Sequence, residues 1–202
     1  MDEEGSRMRL SKLMVAAAAV IFSTNGFCMI NAAKGFYLGA AAGFIHYIEP
    51  AGSTVNAPTA TPMLRPVVGY RFNDYMALEG GYNDVVNKTN AGGGLVGADK
   101  LRIYTFDLAC KLIRPYANGF SLFGKLGLGY TRQTVFNQPL MTAPATVNYA
   151  NNRAQGLMGA GISYNINKNF AVDLSGSYYF RSKQIGAMEL GAVGLTYTVD
   201  HW

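Results

Sequence analysis

Tyr104 to Thr131 reads YTFDLACKLIRPYANGFSLFGKLGLGYT, and both halves alternate with a period of two around the turn-forming stretch Pro115 to Gly119. Successive side chains of a strand point to opposite faces, so this period predicts two strands joined as a hairpin. In the first strand Phe106, Leu108, Cys110 and Leu112 share one face, and Thr105, Asp107, Ala109 and Lys111 share the other. In the second, Leu126, Leu128 and Tyr130 stand opposite Phe123, Lys125, Gly127 and Gly129. The charges therefore fall with the small residues, while the opposite face is continuously apolar. A water-soluble barrel would show the reverse, with charges outside and apolar residues within. A greasy outer face around a narrow polar interior satisfies both lipid and the backbone, and so predicts a membrane barrel.

The same alternation recurs along the chain. Gly35 to Tyr47 places Phe36, Leu38, Ala40, Ala42 and Phe44 opposite Tyr37, Gly39, Ala41 and Gly43. Val67 to Phe72 and Met76 to Asn83 form a pair around Asn73-Asp74, and Gln155 to Tyr164, Phe170 to Tyr179 and Ala187 to Val199 complete about eight strands. Short turns at Asn73-Asp74, Pro115 to Gly119 and Asn165 to Asn169 alternate with longer connections at Glu49 to Thr61, Asp84 to Lys100 and Arg132 to Asn152. Only Arg181 to Gln184 is brief among the latter. Tight turns on one side and long loops on the other match the outer-membrane barrel pattern. Two places disturb it: Pro66, expected at the rim, and a parity change near Ala192, expected to mark a bulge or a misplaced strand boundary.

Composition agrees. Half of the 202 residues are hydrophobic and 14% are charged, enough for one domain, yet no run after the N-terminus approaches the roughly 18 apolar residues of a membrane helix. The 24 glycines, 13 tyrosines and 11 phenylalanines favour pleated strands over helices. The net charge is +5, but Lys and Arg are scattered rather than gathered on one element, so no nucleic-acid partner is expected. Cys28 and Cys110 are the only cysteines, and no disulfide framework is expected.

Leu13 to Phe22 (LMVAAAAVIF) is an apolar run of signal-peptide length, preceded by Arg7, Arg9 and Lys12 and followed by Ser23-Thr24-Asn25. Residues 1–33 are therefore expected to be a cleavable signal peptide, with Met8 a cleaner start than Met1, and residues 34–202 the barrel. The fold expected is all-β: a closed antiparallel eight-stranded transmembrane barrel, exported through the periplasm to the bacterial outer membrane.

With these pieces in hand, the chain resembles the small OmpA-type and opacity-protein family of eight-stranded outer-membrane barrels. The resemblance rests on GFYLGAAAGF (Gly35 to Phe44), GYRFNDYMALEGGY (Gly69 to Tyr82), FSLFGKLGLGY (Phe120 to Tyr130) and GAGISYNINKNFAVDLSGSYYF (Gly159 to Phe180). The final stretch, with Gly194, Tyr197 and Val199, is similar to the terminal signal read by the barrel-assembly machinery. Asp200-His201-Trp202 follows it, so either Trp202 supplies the terminal aromatic or the signal is displaced. No wall-binding domain is expected after the barrel. The resemblance implies a monomeric surface protein in contact with outer-membrane lipid and lipopolysaccharide, whose loops meet host or matrix ligands.

Candidate chemistry is sparse. Gly119 to Lys125 imitates a phosphate-binding loop, but Leu126 stands where Ser or Thr must hold the metal. Gly39 and Gly43 read as small lumen residues. His46 is a candidate rim base with Glu49 and Ser53 as partners, without triad spacing, and an enzyme acting on outer-membrane lipid is the third reading. No metal-ligand spacing is present, and no cofactor is expected. The strongest signal is the set Arg71, Glu79, Asp107, Lys111, Lys125 and Asp173, expected to face the lumen and to pair across strands, because an unpaired ion there is costly. A plugged barrel follows, with a narrow porin-like channel as the alternative.

Overall fold

Each period of two becomes a strand. The computed structural model describes residues 33–48, 60–89, 99–116, 119–137, 146–182 and 186–199. They form β1 (Gly35–Ile48), β2 (Thr61–Asn73), β3 (Met76–Thr89), β4 (Asp99–Pro115), β5 (Phe120–Asn137), β6 (Thr146–Asn165), β7 (Phe170–Tyr179) and β8 (Ala187–Thr198). Every strand pairs antiparallel with its chain neighbours, and β8 closes on β1 from Tyr37 opposite Thr198 to Ile48 opposite Ala187. A closed barrel is one of the two backbone arrangements that lipid tolerates.

The strand termini at Gly35 and Thr198 lie at the same end as the three tight turns. There, side chains and a glycine bend the backbone. Asn73 Oδ1 accepts from the Tyr75 N–H at 2.8 Å, and Asn167 Oδ1 accepts from the Asn169 and Phe170 N–H groups at 2.9 Å. Gly119 takes φ 83°, which a residue with a Cβ rarely adopts. Aromatic pairs ring this end on the outer face: Phe36 with Tyr70, Phe120 with Tyr164, and Phe170 with Tyr197. Tyr82 with Phe106 and Tyr178 with Phe180 form a second belt toward the loop end. Two aromatic belts flanking an apolar band are the mark of a membrane-spanning barrel. Between them, Leu108 and Leu128 are directly paired and 56% and 67% exposed.

The strands depart from the sequence expectation in length. β3 runs on to Thr89, β4 begins at Asp99, β5 continues to Asn137 and β6 begins at Thr146, so the connections expected over Asp84 to Lys100 and Arg132 to Asn152 shrink to 90–98 and 138–145. Pro66 lies not at the rim but inside β2, opposite Ala40 of β1. The β2–β3 ladder begins only at Val67 opposite Gly81, so at Pro66 the strand is paired on one side, as an edge strand is, and there a missing N–H is tolerated. Near Ala192 there is no bulge, for both ladders of β8 run without a shift. Met188, Leu190 and Ala192 point inward because the lumen itself is apolar at that level. Residues 1–32, which carry most of the expected signal peptide, lie outside the described residues, as do Glu49, Ser53 and Trp202.

Candidate functional site

The barrel interior has two levels. Toward the loop end, Ile45, Met63, Ile103, Leu157, Tyr179, Met188 and Leu190 pack as an apolar cluster. Below it lie three cations, Arg65, Lys111 and Lys125, and three carboxylates, Glu79, Asp107 and Asp173, all at most 9% exposed. The cluster thus carries no net charge. The alternation of β2 to β5 and β7 turns each of these side chains inward.

Glu79 is the hub. Its Oε1 accepts from Lys125 Nζ at 2.5 Å, its Oε2 lies 3.8 Å from Lys111 Nζ, and Tyr37 donates its hydroxyl to Oε2 at 3.2 Å. Arg65 Nη2 donates to Asp107 Oδ1 at 2.5 Å and stands 3.9 Å from Glu79 Oε1, joining the two carboxylates. The other Asp107 oxygen accepts from the Tyr179 hydroxyl at 2.8 Å and from Asn83 Nδ2 at 3.4 Å. Lys111 reaches Asp173 Oδ2 at 3.6 Å and also lies 4.0 Å from the centre of the Phe123 ring. Buried charges persist only when paired and hydrogen-bonded in this way. Arg65 and Asp173, each with one polar atom lacking a partner among the described residues, line a lumen cavity of about 20 Å³. That is room for about one water molecule.

Of the residues expected in the lumen set, five are in this cluster. Arg71 faces inward too, but near the turn end, where its guanidinium donates to the backbone carbonyls of Asn73 and Asp74 at 3.3 Å. Its place is taken by Arg65, which the sequence reading missed because Pro66 hid the first half of β2. The signal was present, since Arg65 is in phase with Val67, Gly69 and Arg71. Glycines make the space: a Cβ at Gly81 would collide with the Arg65 guanidinium, and one at Gly69 with the Tyr37 ring.

His46 lies near the loop end on the outer face of β1. Its Nδ1 is 3.6 Å from Glu189 Oε2 of β8, an acid the sequence reading did not connect with it. On the outer wall near the loop end, Arg102 makes a two-point pair with Asp84, at 3.1 and 2.6 Å, and the Arg132 guanidinium lies 5.9 Å from the Tyr104 ring centre. Gly194 and Tyr197 lie in β8, and Val199 follows directly, its N–H donating to the Phe36 carbonyl at 2.8 Å. Tyr197 and Val199 face lipid.

The sequence matches the family described as the OmpA-like transmembrane domain over residues 31–200. An uncharacterized protein of Coxiella burnetii (strain RSA 493 / Nine Mile phase I) is 28% identical, with 66% of this chain covered, and the chain spans 66% of that relative, just under two thirds. Among solved structures, Neisserial surface protein A is 15% identical with a TM-score of 0.62, covering 83% of this chain and 99% of that one. The attachment invasion locus protein Ail of Yersinia pestis, solved in complex with the heparin analogue sucrose octasulfate, is 16% identical with a TM-score of 0.54, covering 84% and 100%. OprG, an outer membrane protein of Pseudomonas aeruginosa, is 14% identical with a TM-score of 0.56, covering 85% and 99%. The inward charge cluster, the two aromatic belts, the closed eight-strand ladder and the family match converge: the chain belongs to the OmpA-like transmembrane domain family and is a small barrel of the bacterial outer membrane.

Proposed function

We propose that this protein is a plugged surface barrel that acts through its loop end, as a structural and adhesive contact with host or matrix ligands. The observation that carries this reading is the lumen. Among the described residues, the neutral cluster around Glu79 and the apolar tier above it leave lumen cavities of about 20 and 30 Å³. Conduction needs more space than such sites leave. Activity then falls to the outside, and the asymmetry of the strands favours one side of the rim. β4 and β5 pair as far as Asp99 opposite Asn137, while the β2–β3 ladder ends at Val67. The sheet of β3 to β6 therefore rises above the rest and presents Arg102 and Arg132 on its outer face. Their guanidinium groups, that of Arg102 shared with Asp84, suit an anionic sugar, and the Yersinia protein of this fold was solved with the heparin analogue sucrose octasulfate.

The remaining parts of the reading concern export. Residues 1–33 serve as the removable signal. Gly194, Tyr197, Val199 and Trp202 form the segment read by the barrel-assembly machinery, supported by the lipid-facing alternation of Tyr197 and Val199. The protein acts as a monomer without a cofactor.

The test is adhesion of cells displaying the protein to immobilised heparin and to extracellular matrix, compared with cells displaying Arg102→Ala/Arg132→Ala. Loss of adhesion in the double variant at unchanged surface level is expected. Adhesion equal in both, or a stable single-channel conductance from the purified barrel, overturns the reading.

A further inference from the structure

Phe44, Gly191 and Gly176 form one row across β1, β8 and β7, with Phe44 opposite Gly191 and Gly191 opposite Gly176. All three face outward. Among the described residues, a Cβ at Gly191 would meet no atom within 4 Å, and one at Gly176 would meet only the Leu190 carbonyl oxygen at 3.9 Å. Two adjacent glycines thus leave a dent in the outer wall beside the Phe44 ring. The resulting groove has a volume of about 610 Å³, within the roughly 300–1,000 Å³ of sites that hold small molecules.

The rows above and below give the groove a polarity. The row toward the membrane centre is Ala42, Val193 and Leu174, wholly apolar. The row toward the loop end is His46, Glu189 and Tyr178. It lies level with the second aromatic belt, where Tyr178 packs edge-on to Phe180 with ring centres 5.4 Å apart. Rows two residues apart are about 7 Å apart along a strand. The three rows therefore span about 14 Å, close to half of the roughly 25 Å apolar band of such barrels. An apolar foot, a glycine floor and an ionisable head, one leaflet deep, match an amphiphile standing in that leaflet.

We propose that this groove binds an acyl chain of lipid A, with the glucosamine headgroup seated against His46 and Glu189. The proposal rests on the loop end facing outward, because that leaflet is the one lipid A occupies. At 3.6 Å the imidazole and carboxylate are close without being hydrogen-bonded, so both keep capacity for a ligand. The carboxylate accepts from sugar hydroxyl and amide N–H groups, and an imidazole N–H donates to phosphate or carbonyl oxygen. A second copy of the barrel is the poorer occupant, since a convex wall cannot reach the floor of a dent, whereas a flexible chain can.

The full chain, refolded in phosphatidylcholine vesicles, is unfolded by urea with and without added lipid A. Lipid A is expected to raise the midpoint for the wild type. It is expected to leave Gly191→Leu unmoved, because leucine fills the floor, and to leave His46→Ala/Glu189→Ala unmoved, because the head is gone. Both variants should match the wild type in phosphatidylcholine alone. Should Gly191→Leu fail to fold, the His46/Glu189 variant decides by itself. A shift that survives in the His46/Glu189 variant overturns the proposal, as does an equal shift from phosphatidylethanolamine, or a cross-linked dimer that Gly191→Leu abolishes. Vesicles offer lipid A on both faces, so a wrong orientation of the barrel would leave this result unchanged and would show instead in protease cleavage on cells.

Discussion

Lys111 and Lys125 stand directly opposite one another across the β4–β5 ladder, both pointing into the lumen. Like charges so placed repel, and the pair is held by Glu79 of the adjoining strand, which contacts both ammonium groups. Replacing Glu79 with Ala leaves two buried cations face to face. The expected loss is about 3–5 kcal/mol, the usual cost of orphaning a buried ion. Urea unfolding of the refolded barrel measures it, and Glu79→Ala/Lys125→Met should recover most of the loss. A double variant no better than the single one would show that the carboxylate does not serve to balance Lys125.

On the opposite face the sign of tolerance reverses. Leu108→Arg or Leu128→Arg sets a charge against hydrocarbon between the two aromatic belts, with an expected cost of about 2–4 kcal/mol. Stability unchanged at both sites would place this face away from lipid.

Neighbouring glycines should differ sharply. Gly81 points at the Arg65 guanidinium, so Gly81→Val must displace the arginine from Asp107, costing about 1–3 kcal/mol as overpacking does. Gly80 points outward, where a Cβ would find its nearest atom at 3.6 Å, an ordinary contact. Gly80→Val should be close to neutral in the same assay. Equal effects would contradict the lumen packing.

Shortening 90–98 or 138–145 should leave detergent resistance and heat-dependent gel mobility intact while removing surface binding, since loops on a rigid scaffold carry recognition. Protease added to intact cells should cut within these connections and spare the turns near Asn73, Tyr116 and Asn167. Cleavage at the turns would mean that the barrel sits the other way up.

The hairpin of β4 and β5 was legible because lipid and lumen make opposite demands on alternate residues, and Leu108, Asp107, Leu128 and Lys125 answer them in strict turn. Arg65 and Met188 were harder to read for two separate reasons. Arg65 lies beside a proline in a segment where β2 pairs on one side only, a tertiary circumstance invisible in one sequence. Met188, Leu190 and Ala192 are apolar residues on the inner face, where polarity was expected, because the lumen changes character toward the loops. The contact between His46 and Glu189 joins the first strand to the last, and no local spacing announces it.

That the first strand pairs with the last, Tyr37 with Thr198 through Ile48 with Ala187, sets the order of events in folding. Neighbouring hairpins can form from local contacts, but the seam between β1 and β8 has the greatest sequence separation in the molecule, and such contacts form slowly. Until β8 has arrived, both seam strands offer unpaired edges open to aggregation. The chain must therefore be kept apart from its fellows through the periplasm, and commitment to the membrane comes only when the seam zips.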